Sequence, residues 1–417
     1  MTAALESALY RAPALETPAR VVGASPARLV LPGVESADWG LERELGLGFF
    51  GPVEPRAFLA ELAASRLRGR GGAGFPAHRK WSAVASAPGD SVVVANGHEG
   101  EPASGKDAWL LTRRPHLVLD GLLSAAAVTG SSEAVVYASD AAVLTSVRRA
   151  VAEVTSAGLV PDGVTLRVHE APAGYVAGEE SAVVRSINGG PAKPVSKPPR
   201  PFEVGVRGLP TLVSNVETFA HAALIRRYGA AEFAGVGSAS SRGTALFTVT
   251  GRVAEPGVYE MALGAPLSEL VRAAGGGRAP LTGALLGGWF NGLSVGDPGD
   301  LNCCYDAMRA AGTGLGCAAV TVLGPEDDLV AVAGELSGWF QAESALQCGS
   351  CFSGTKAIAR AFRQVLRGED PERHLADLTR WGSTLSGRGV CGFIDGAAAL
   401  ARTGAEELAR RETRKER

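Results

Sequence analysis

Residues 67–81 read LRGRGGAGFPAHRKW, a glycine-rich turn joined to fixed basic groups. Gly69, Gly71, Gly72 and Gly74 free the backbone to reach φ > 0 and to present its N–H groups, while Arg68, Arg70 and Lys80 bring positive charge that suits a phosphate. By itself such a run is equally a surface loop with scattered charge. Its neighbours narrow the reading. Upstream, PRAFLAELAASRL (55–67) has helical periodicity, and downstream SVVVAN (91–96) is a short buried strand. A glycine loop that follows a helix and precedes a strand is not placed as a Rossmann fingerprint or a P-loop would be, so a phosphate-bearing ligand here belongs to a different fold.

Beyond the loop, helical and strand patterns alternate: PHLVLDGLLSAAAV as helix, EAVVYAS as strand, AAVLTSVRRAVAEVTSAG as helix, VTLRVHEAP as strand. That alternation predicts an α/β unit over 56–240 built on a mainly parallel sheet. Residues 1–55, rich in Pro and Gly and weakly periodic, predict an extended N-terminal arm. Over 241–328 short strands surround a Pro-Gly turn and are followed by an amphipathic helix, which predicts a small β-grasp domain. From 329 to 417 helical periodicity persists, predicting a C-terminal helical domain. No tandem repeat and no low-complexity tract is visible.

Composition bounds the function. The 41 Lys plus Arg against 43 Asp plus Glu argue against a nucleic-acid-binding body, although the terminal ARRETRKER is locally basic. No apolar run approaches the ~18 to 20 residues that span a bilayer, and the first residues lack a basic-then-apolar signal pattern, so the expectation is a cytoplasmic protein without direct membrane insertion. All six cysteines fall after residue 302, at Cys303, Cys304, Cys317, Cys348, Cys351 and Cys391. In a reducing compartment, Cys348-x-x-Cys351 with a distant Cys391 suggests an iron-sulfur cluster, a zinc or dithiol redox site, or buried thiols without a role. Zinc is disfavoured because His374 is the sole nearby histidine and a structural zinc wants four good ligands.

Three further constellations stand out. Asn96-Gly-His98-Glu99-Gly100-Glu101-Pro102, with Lys106 and Asp107 behind it, follows a buried strand where α/β folds place ligands; otherwise it is a solvated turn. Gly174-Tyr175-Val-Ala-Gly178-Glu179-Glu180-Ser181 opens a helix with two carboxylates that, at the least, complement its dipole. Lys197-Pro-Pro-Arg200-Pro-Phe202 runs on through Gly208 and Pro210 to Ser214-Asn215-Val216-Glu217-Thr218, and is at minimum a rigid spacer.

In this order, these segments and the terminal cysteines resemble one family over about residues 55–400: the NADH-oxidising flavoprotein (F) subunit of NADH:quinone oxidoreductase, respiratory complex I, with its relatives in hydrogenases and formate dehydrogenases. The family's GRGGAGFP loop and Lys-Trp pair stand here as Gly69–Pro76 with Lys80 and Trp81, its Gly-Glu-Glu helix start as Gly178-Glu179-Glu180, and its Asn-Val-Glu-Thr run as Asn215–Thr218. The resemblance implies an α/β flavin-binding domain of non-Rossmann type, then an SLBB-like β-grasp domain, then a helical bundle that binds an iron-sulfur cluster. It implies FMN held by the loop (Gly69, Arg70, Gly71, Gly72, Ala73, Gly74), Asn96, Tyr175, Gly178, Asn215 and Thr218, with Glu99, Glu179, Lys197 and Ser214 as further cofactor-binding residues. NADH would be lined by Phe75, Lys80, Glu101 and Glu180, and the cluster held by Cys348, Cys351 and Cys391. No side-chain acid or base is required, because the hydride chemistry belongs to the cofactors.

Departures from the family pattern carry their own expectations. His98 and Gly100 stand where the family has aspartate and serine, Ser214 stands for an asparagine, and Ala83 and Arg200 stand where aromatic rings would stack the adenine. Arg200 also invites phosphate, so the choice between NADH and NADPH stays open. Ala345 replaces the first cluster cysteine, leaving a 3Fe-4S cluster, a 4Fe-4S cluster with a non-cysteine ligand, or none. The favoured function is an electron-entry enzyme passing electrons to a ferredoxin-like protein or to redox subunits at the inner face of a membrane. The alternative is a redox-silent structural or ligand-binding subunit.

Overall fold

The computed structural model describes residues 10–13, 17–23, 28–36, 39–277 and 279–415; 18 of the 55 residues read as an N-terminal arm lie outside these. The described residues form ten strands: β1 (Arg20–Val21), β2 (Val92–Asn96), β3 (Glu133–Ala138), β4 (Thr165–Glu170), β5 (Thr211–Asn215), β6 (Thr244–Gly251), β7 (Gly257–Ala262), β8 (Gly283–Leu286), β9 (Leu293–Val295) and β10 (Ala319–Leu323).

The first sheet has the order β4-β3-β2-β5, and every pairing in it is parallel. β3 is buried along its whole length and β2 along all but its last residue. This is why their sequences read as continuous apolar runs, since crossover helices cover both faces of a parallel sheet. The helices Pro115–Thr129 and Val216–Tyr228 pack against each other over this sheet. Their approach depends on Gly121, where an added Cβ would lie 1.9 Å from the carbonyl oxygen of Phe219.

The helix Pro55–Ser65 begins with Glu54 accepting from the Ala57 amide at 2.6 Å and ends at Arg66 in the left-handed region. The chain then makes the glycine loop, closed by an antiparallel bridge between Arg68 and Pro76. Contrary to the sequence expectation, the loop does not lead straight to a strand; it enters the helix Ala77–Ala85 first. Only Ala77, Trp81 and Val84 of that helix are buried. The basic run His78-Arg79-Lys80 obscured this short i, i+4, i+7 stripe. The consequence matters for the site, because the helix turns Lys80 outward beside the loop.

The second sheet is mixed, in the order β1-β7-β6-β10-β8-β9. β6 and β7 form a hairpin, β10 runs parallel to β6, and the helix Leu267–Ala273 packs on the sheet. β1, part of the expected extended arm, adds in parallel to the β7 edge. Beyond it come the α-helices Leu329–Ala342, Lys356–Leu366, Pro371–Thr384 and Phe393–Lys415. They share one apolar core with Leu285, Trp289 and Leu293 of the second sheet's region.

Candidate functional site

The parallel register sets two asparagines side by side. Asn96 closes β2 and Asn215 closes β5; they are direct partners across the sheet, with Tyr137 of β3 on the other flank of Asn96. This is the carboxyl edge of a parallel sheet, where such folds bind ligands. Asn96 donates from Nδ2 to the Gly178 carbonyl at 2.8 Å, which draws the third constellation onto the same edge. Asn215 caps the helix that begins at Val216, accepting from the Glu217 amide at 3.0 Å, and donates from Nδ2 to Asp107 Oδ2 at 2.6 Å.

The glycine loop lies over this edge. The Arg70 amide donates to Thr218 Oγ1 at 2.9 Å, and an added Cβ at Gly71 would press on the Asn215 Cβ at 3.2 Å. Gly72 has φ +115°, a conformation that side-chain-bearing residues rarely adopt, and its added Cβ would lie in van der Waals contact with the Gly316 backbone at 3.7 Å. Gly74, at φ +60°, is tighter: its added Cβ would meet the Tyr305 ring at 2.5 Å. Tyr305, from the second unit, donates its hydroxyl to the Gly69 carbonyl at 2.8 Å and so staples the loop in place. Ala73 is exposed, and Phe75 stands 51% exposed at the loop's outer side.

The loop's arginines do something other than the sequence suggested. Arg70 is buried, and its guanidinium donates to the carbonyls of Arg68, Arg242 and Thr244 at 2.8 to 3.1 Å, with Glu217 3.8 Å away. Arg68 donates to the Gly74 carbonyl at 2.8 Å and covers the Tyr305 ring. Both fix loop conformation from behind. Lys80 is the basic group that faces the site, with Nζ 3.1 Å from Glu180 and 2.9 Å from the Val213 carbonyl.

Opposite the loop, Glu179 caps the helix Glu180–Ile187, accepting from the amides of Ser181 and Ala182 and from the Ser181 hydroxyl. Lys197 bridges both carboxylates, 2.5 Å from Glu179 and 3.1 Å from Glu180. Burial would raise the Glu180 pKa, but Lys80 and Lys197 hold it below the usual carboxylate range. Ser214 is half-buried in β5, paired across the sheet with Ala95.

The two departures at 98 and 100 form one local repacking. His98 Nε2 lies 2.9 Å from the Gly174 carbonyl, and an added Cβ at Gly100 would collide with the Tyr175 backbone, 2.8 Å from its oxygen. Burial lowers the His98 pKa and so favours the neutral ring. Glu99 is inward: it accepts from Ser104 Oγ at 2.5 Å and from the amides of Asp107 and Ala108, acting as the cap of the helix Lys106–Arg113. Glu101 accepts from the Trp289 amide at 3.2 Å, and burial lifts its pKa to about 7.

Sequence reading passed over the network beneath the site. Lys106 is buried with Nζ 2.6 Å from Asp107 and 2.9 Å from Glu217. Burial would deprotonate it, yet the two carboxylates hold it charged. Burial likewise works against the Glu217 charge, but Lys106, His221 and Arg70 bring its pKa down to about 2. Glu217 also accepts from the Leu246 amide of β6 at 2.9 Å, tying the two sheets together. Only the adjacency of Lys106 and Asp107 in sequence signalled any of this.

Tyr175 points away from the sheet edge into an aromatic group. Its ring stacks on Phe290 with centroids 4.5 Å apart and meets Trp339 and Phe393, each at 5.5 Å. Phe393 follows Cys391 by two residues, so this group spans the interval between the sheet edge and the cysteines. Cys348 and Cys351 sit at the start of a wide helical turn that continues as Lys356–Leu366. Ser350 Oγ donates to the Arg388 carbonyl at 2.8 Å, clasping this turn to the segment that carries Cys391. Burial raises the Cys348 pKa, but the amides of Val390, Cys351 and Ser350 and the Cys351 thiol hold it below the ordinary thiol value. Cys391 is near enough to Cys348, Glu179 and Lys197 for their charges to act on it. Among the described residues no group of three or more His, Cys, Asp or Glu side chains is arranged to hold a single metal ion. Cys303 is buried in the second unit, and Cys317 lies against Gly287 and Gly288 near Glu101.

A parallel sheet thus carries a glycine loop over its carboxyl edge, a mixed-sheet unit staples that loop, and the helical segment beyond carries Cys348, Cys351 and Cys391. Comparison with known proteins is specific. Residues 62–223 match the Nuo51 FMN-binding domain, 246–284 the SLBB domain, and 331–411 the NADH-ubiquinone oxidoreductase-F iron-sulfur binding region. The mitochondrial NADH dehydrogenase (ubiquinone) flavoprotein 1 of Dictyostelium discoideum is 34% identical over 367 residues, 82% of this chain and 74% of that protein. The mitochondrial NADH-ubiquinone oxidoreductase 51 kDa subunit of Neurospora crassa is 33% identical, covering 80% of this chain and 71% of that one. Among solved structures, the NAD+-reducing NiFe hydrogenase in its H2-reduced state superposes with a TM-score of 0.78 at 29% identity, covering 92% of this chain and 67% of that chain. The chain belongs to the family of the 51 kDa NADH-oxidising flavoprotein subunit of complex I. Among the described residues no helix is long and apolar enough to cross a membrane.

Proposed function

We propose that this chain is the electron-entry subunit of a multi-subunit redox complex, oxidising NADH at an FMN and passing electrons through an iron-sulfur cluster to a ferredoxin-like protein or another redox subunit. The observation that carries this reading is the convergence of the glycine loop, Asn96, Asn215 and the Gly178 turn on one carboxyl sheet edge, with the added Cβ of Gly71 pressing on Asn215 at 3.2 Å. When bound, FMN supplies two-electron acceptance from a nicotinamide and one-electron release.

The protein's own residues bind, orient and exclude water. Gly71 and Gly72 bring loop backbone close to the ligand, a position that a side chain would obstruct. Asn96 and Asn215, held by their own hydrogen bonds, set the floor. Lys80 offers the phosphate or ribose side its charge, and Glu180, ionised by its two lysines, accepts from ribose hydroxyls. Phe75 and the Arg200 guanidinium offer flat surfaces to the nicotinamide dinucleotide, and Arg200 leaves NADPH open as a second substrate. Cys348, Cys351 and Cys391 would hold the cluster; amides favour the thiolate at Cys348, whereas burial raises the Cys351 and Cys391 thiols, whose thiolate forms the bound iron would stabilise. In domain terms we assign 56–240 to FMN and NADH binding, 241–328 to the β-grasp unit, 329–417 to the cluster-binding helices and 1–55 to the arm. Partner subunits confine it to the cytoplasmic face of a membrane.

The test is anaerobic addition of NADH to purified, FMN-loaded protein. The flavin absorbance bleaches if the reading holds. Retention of oxidised flavin under excess NADH, with FMN demonstrably bound, refutes it and favours the redox-silent alternative.

A further inference from the structure

We infer that the iron facing position 345 has no protein ligand in this chain and takes a small exogenous donor, such as water, hydroxide or a low-molecular-weight thiolate. This rests on the cluster assignment proposed above and specifies its chemistry.

The argument concerns what surrounds the missing thiolate. Ser350, between Cys348 and Cys351, donates to the Arg388 carbonyl at 2.8 Å and so holds their turn against the segment of Cys391, close enough for the charges of the three sulfurs to act on one another. The methyl of Ala345 cannot donate to a metal. Every donor side chain flanking it is engaged elsewhere: Glu343 Oε2 accepts from the Tyr175 amide at 3.2 Å, Ser344 Oγ accepts from the Leu346 amide at 3.3 Å, and Gln347 Nε2 donates to the Pro194 carbonyl at 3.3 Å. The Ser344 hydroxyl also hydrogen-bonds the Cys351 sulfur. Cys303 and Cys304 are buried in the second unit, and Tyr175 feels both Cys317 and Cys391, standing between the two surroundings. The segment itself is open. Ala345 is half-buried, and its neighbour Leu346 is 57% exposed with φ +53°. A solvent-borne ligand therefore reaches the position the family closes with a cysteine, and the iron there is the one released on oxidation. With ferricyanide as oxidant, a 4Fe-4S core of charge 2+ gives a 3Fe-4S core of charge 1+ and one Fe2+, and the electron passes to ferricyanide to yield ferrocyanide.

The experiment uses the full chain, FMN-loaded and reconstituted anaerobically, with iron and sulfide counted. The electron paramagnetic resonance spectrum of the dithionite-reduced cluster is recorded with and without 2-mercaptoethanol or cyanide. The expected result is a spectrum that shifts on ligand addition and, after stoichiometric ferricyanide, loss of one iron in four with the signal of a three-iron cluster. Ala345→Cys should abolish both the ligand response and the iron loss, while Ser344→Ala should keep them. A wild-type spectrum indifferent to added ligand, with all four irons retained, overturns the inference and leaves the cluster assignment standing. Protein that binds FMN but no iron overturns both.

Discussion

Lys106→Met tests whether the buried charge network holds the flavin edge in register. The ammonium lies within 2.9 Å of Asp107 and Glu217, and Lys106 is only 1% exposed. Removing one partner of a buried ion pair leaves the other charges desolvated and uncompensated, at a cost of about 3–5 kcal/mol. Because Asp107 fixes Asn215 and Glu217 faces Arg70 behind the glycine loop, that cost falls on the FMN-binding geometry. At ~1.4 kcal/mol per tenfold, transmission of even a third of it weakens FMN by about tenfold. The assay is fluorescence titration of apoprotein with FMN, alongside urea denaturation followed by tryptophan emission. The pH dependence has a defined sign. Glu217 is held at about 2, below the ~4.3 of an unfolded glutamate, so its ionic contribution is complete above ~4.3 and lost as pH falls toward 2. Without Lys106 burial dominates and the carboxylate resists ionisation. The variant's deficit is therefore full at neutral pH and shrinks as the solution is acidified below about 5. Adding Glu217→Gln to the variant should recover about 1–2 kcal/mol, because it removes one uncompensated charge. A deficit below about 1 kcal/mol, or one independent of pH, refutes the reasoning.

Other expectations follow from the same geometry. Glu180→Gln should raise KM for NADH about tenfold, an effect near ~1.4 kcal/mol, with FMN content unchanged; an unmoved KM shows that the carboxylate does not face the substrate. Tyr305→Phe loses the hydroxyl bond to the Gly69 carbonyl, worth about 1 kcal/mol, and should weaken FMN by roughly fivefold. Gly74→Ala, forced against the Tyr305 ring at φ +60°, should weaken it further, and equal FMN affinity in both variants would dissociate the loop from flavin binding. Glu101 is lifted to about 7 by burial, so the protein loses stability as pH rises from about 4.5 toward 7, by up to about 3 kcal/mol. Glu101→Gln should flatten that slope in thermal midpoints measured across this range, and an unchanged slope would mean that the carboxylate is solvated.

Much of the parallel sheet was legible because its central strands are buried on both faces and so appear as short apolar runs between helical periods. SVVVAN, EAVVYAS and VTLRVHEAP all became strands. The helix Ala77–Ala85 was not legible, because three buried positions in nine residues are too few to outweigh a basic run. Motif residues were found by type, but their partners were not. Arg70 and Glu99 have the chemistry of ligand contacts, yet each faces inward, one to carbonyls and one to helix amides. Tyr305 and Trp289 touch the site from more than 180 residues away, and nothing local in their sequence marks them.

By itself, then, the sequence determined the α/β alternation, the glycine loop's capacity for positive φ, the three remaining thiols and the absence of a fourth at Ala345, because these depend on residue type and local spacing. The tertiary structure alone decided which partners each charge has. Burial and hydrogen bonding committed Arg68, Arg70, Glu99 and Glu179 to holding the scaffold and left Lys80 and Glu180 facing the site. The physical reason is that a charged side chain is defined by its partners, and those partners arrive from distant strands only when the sheet edges and the second unit close over the loop.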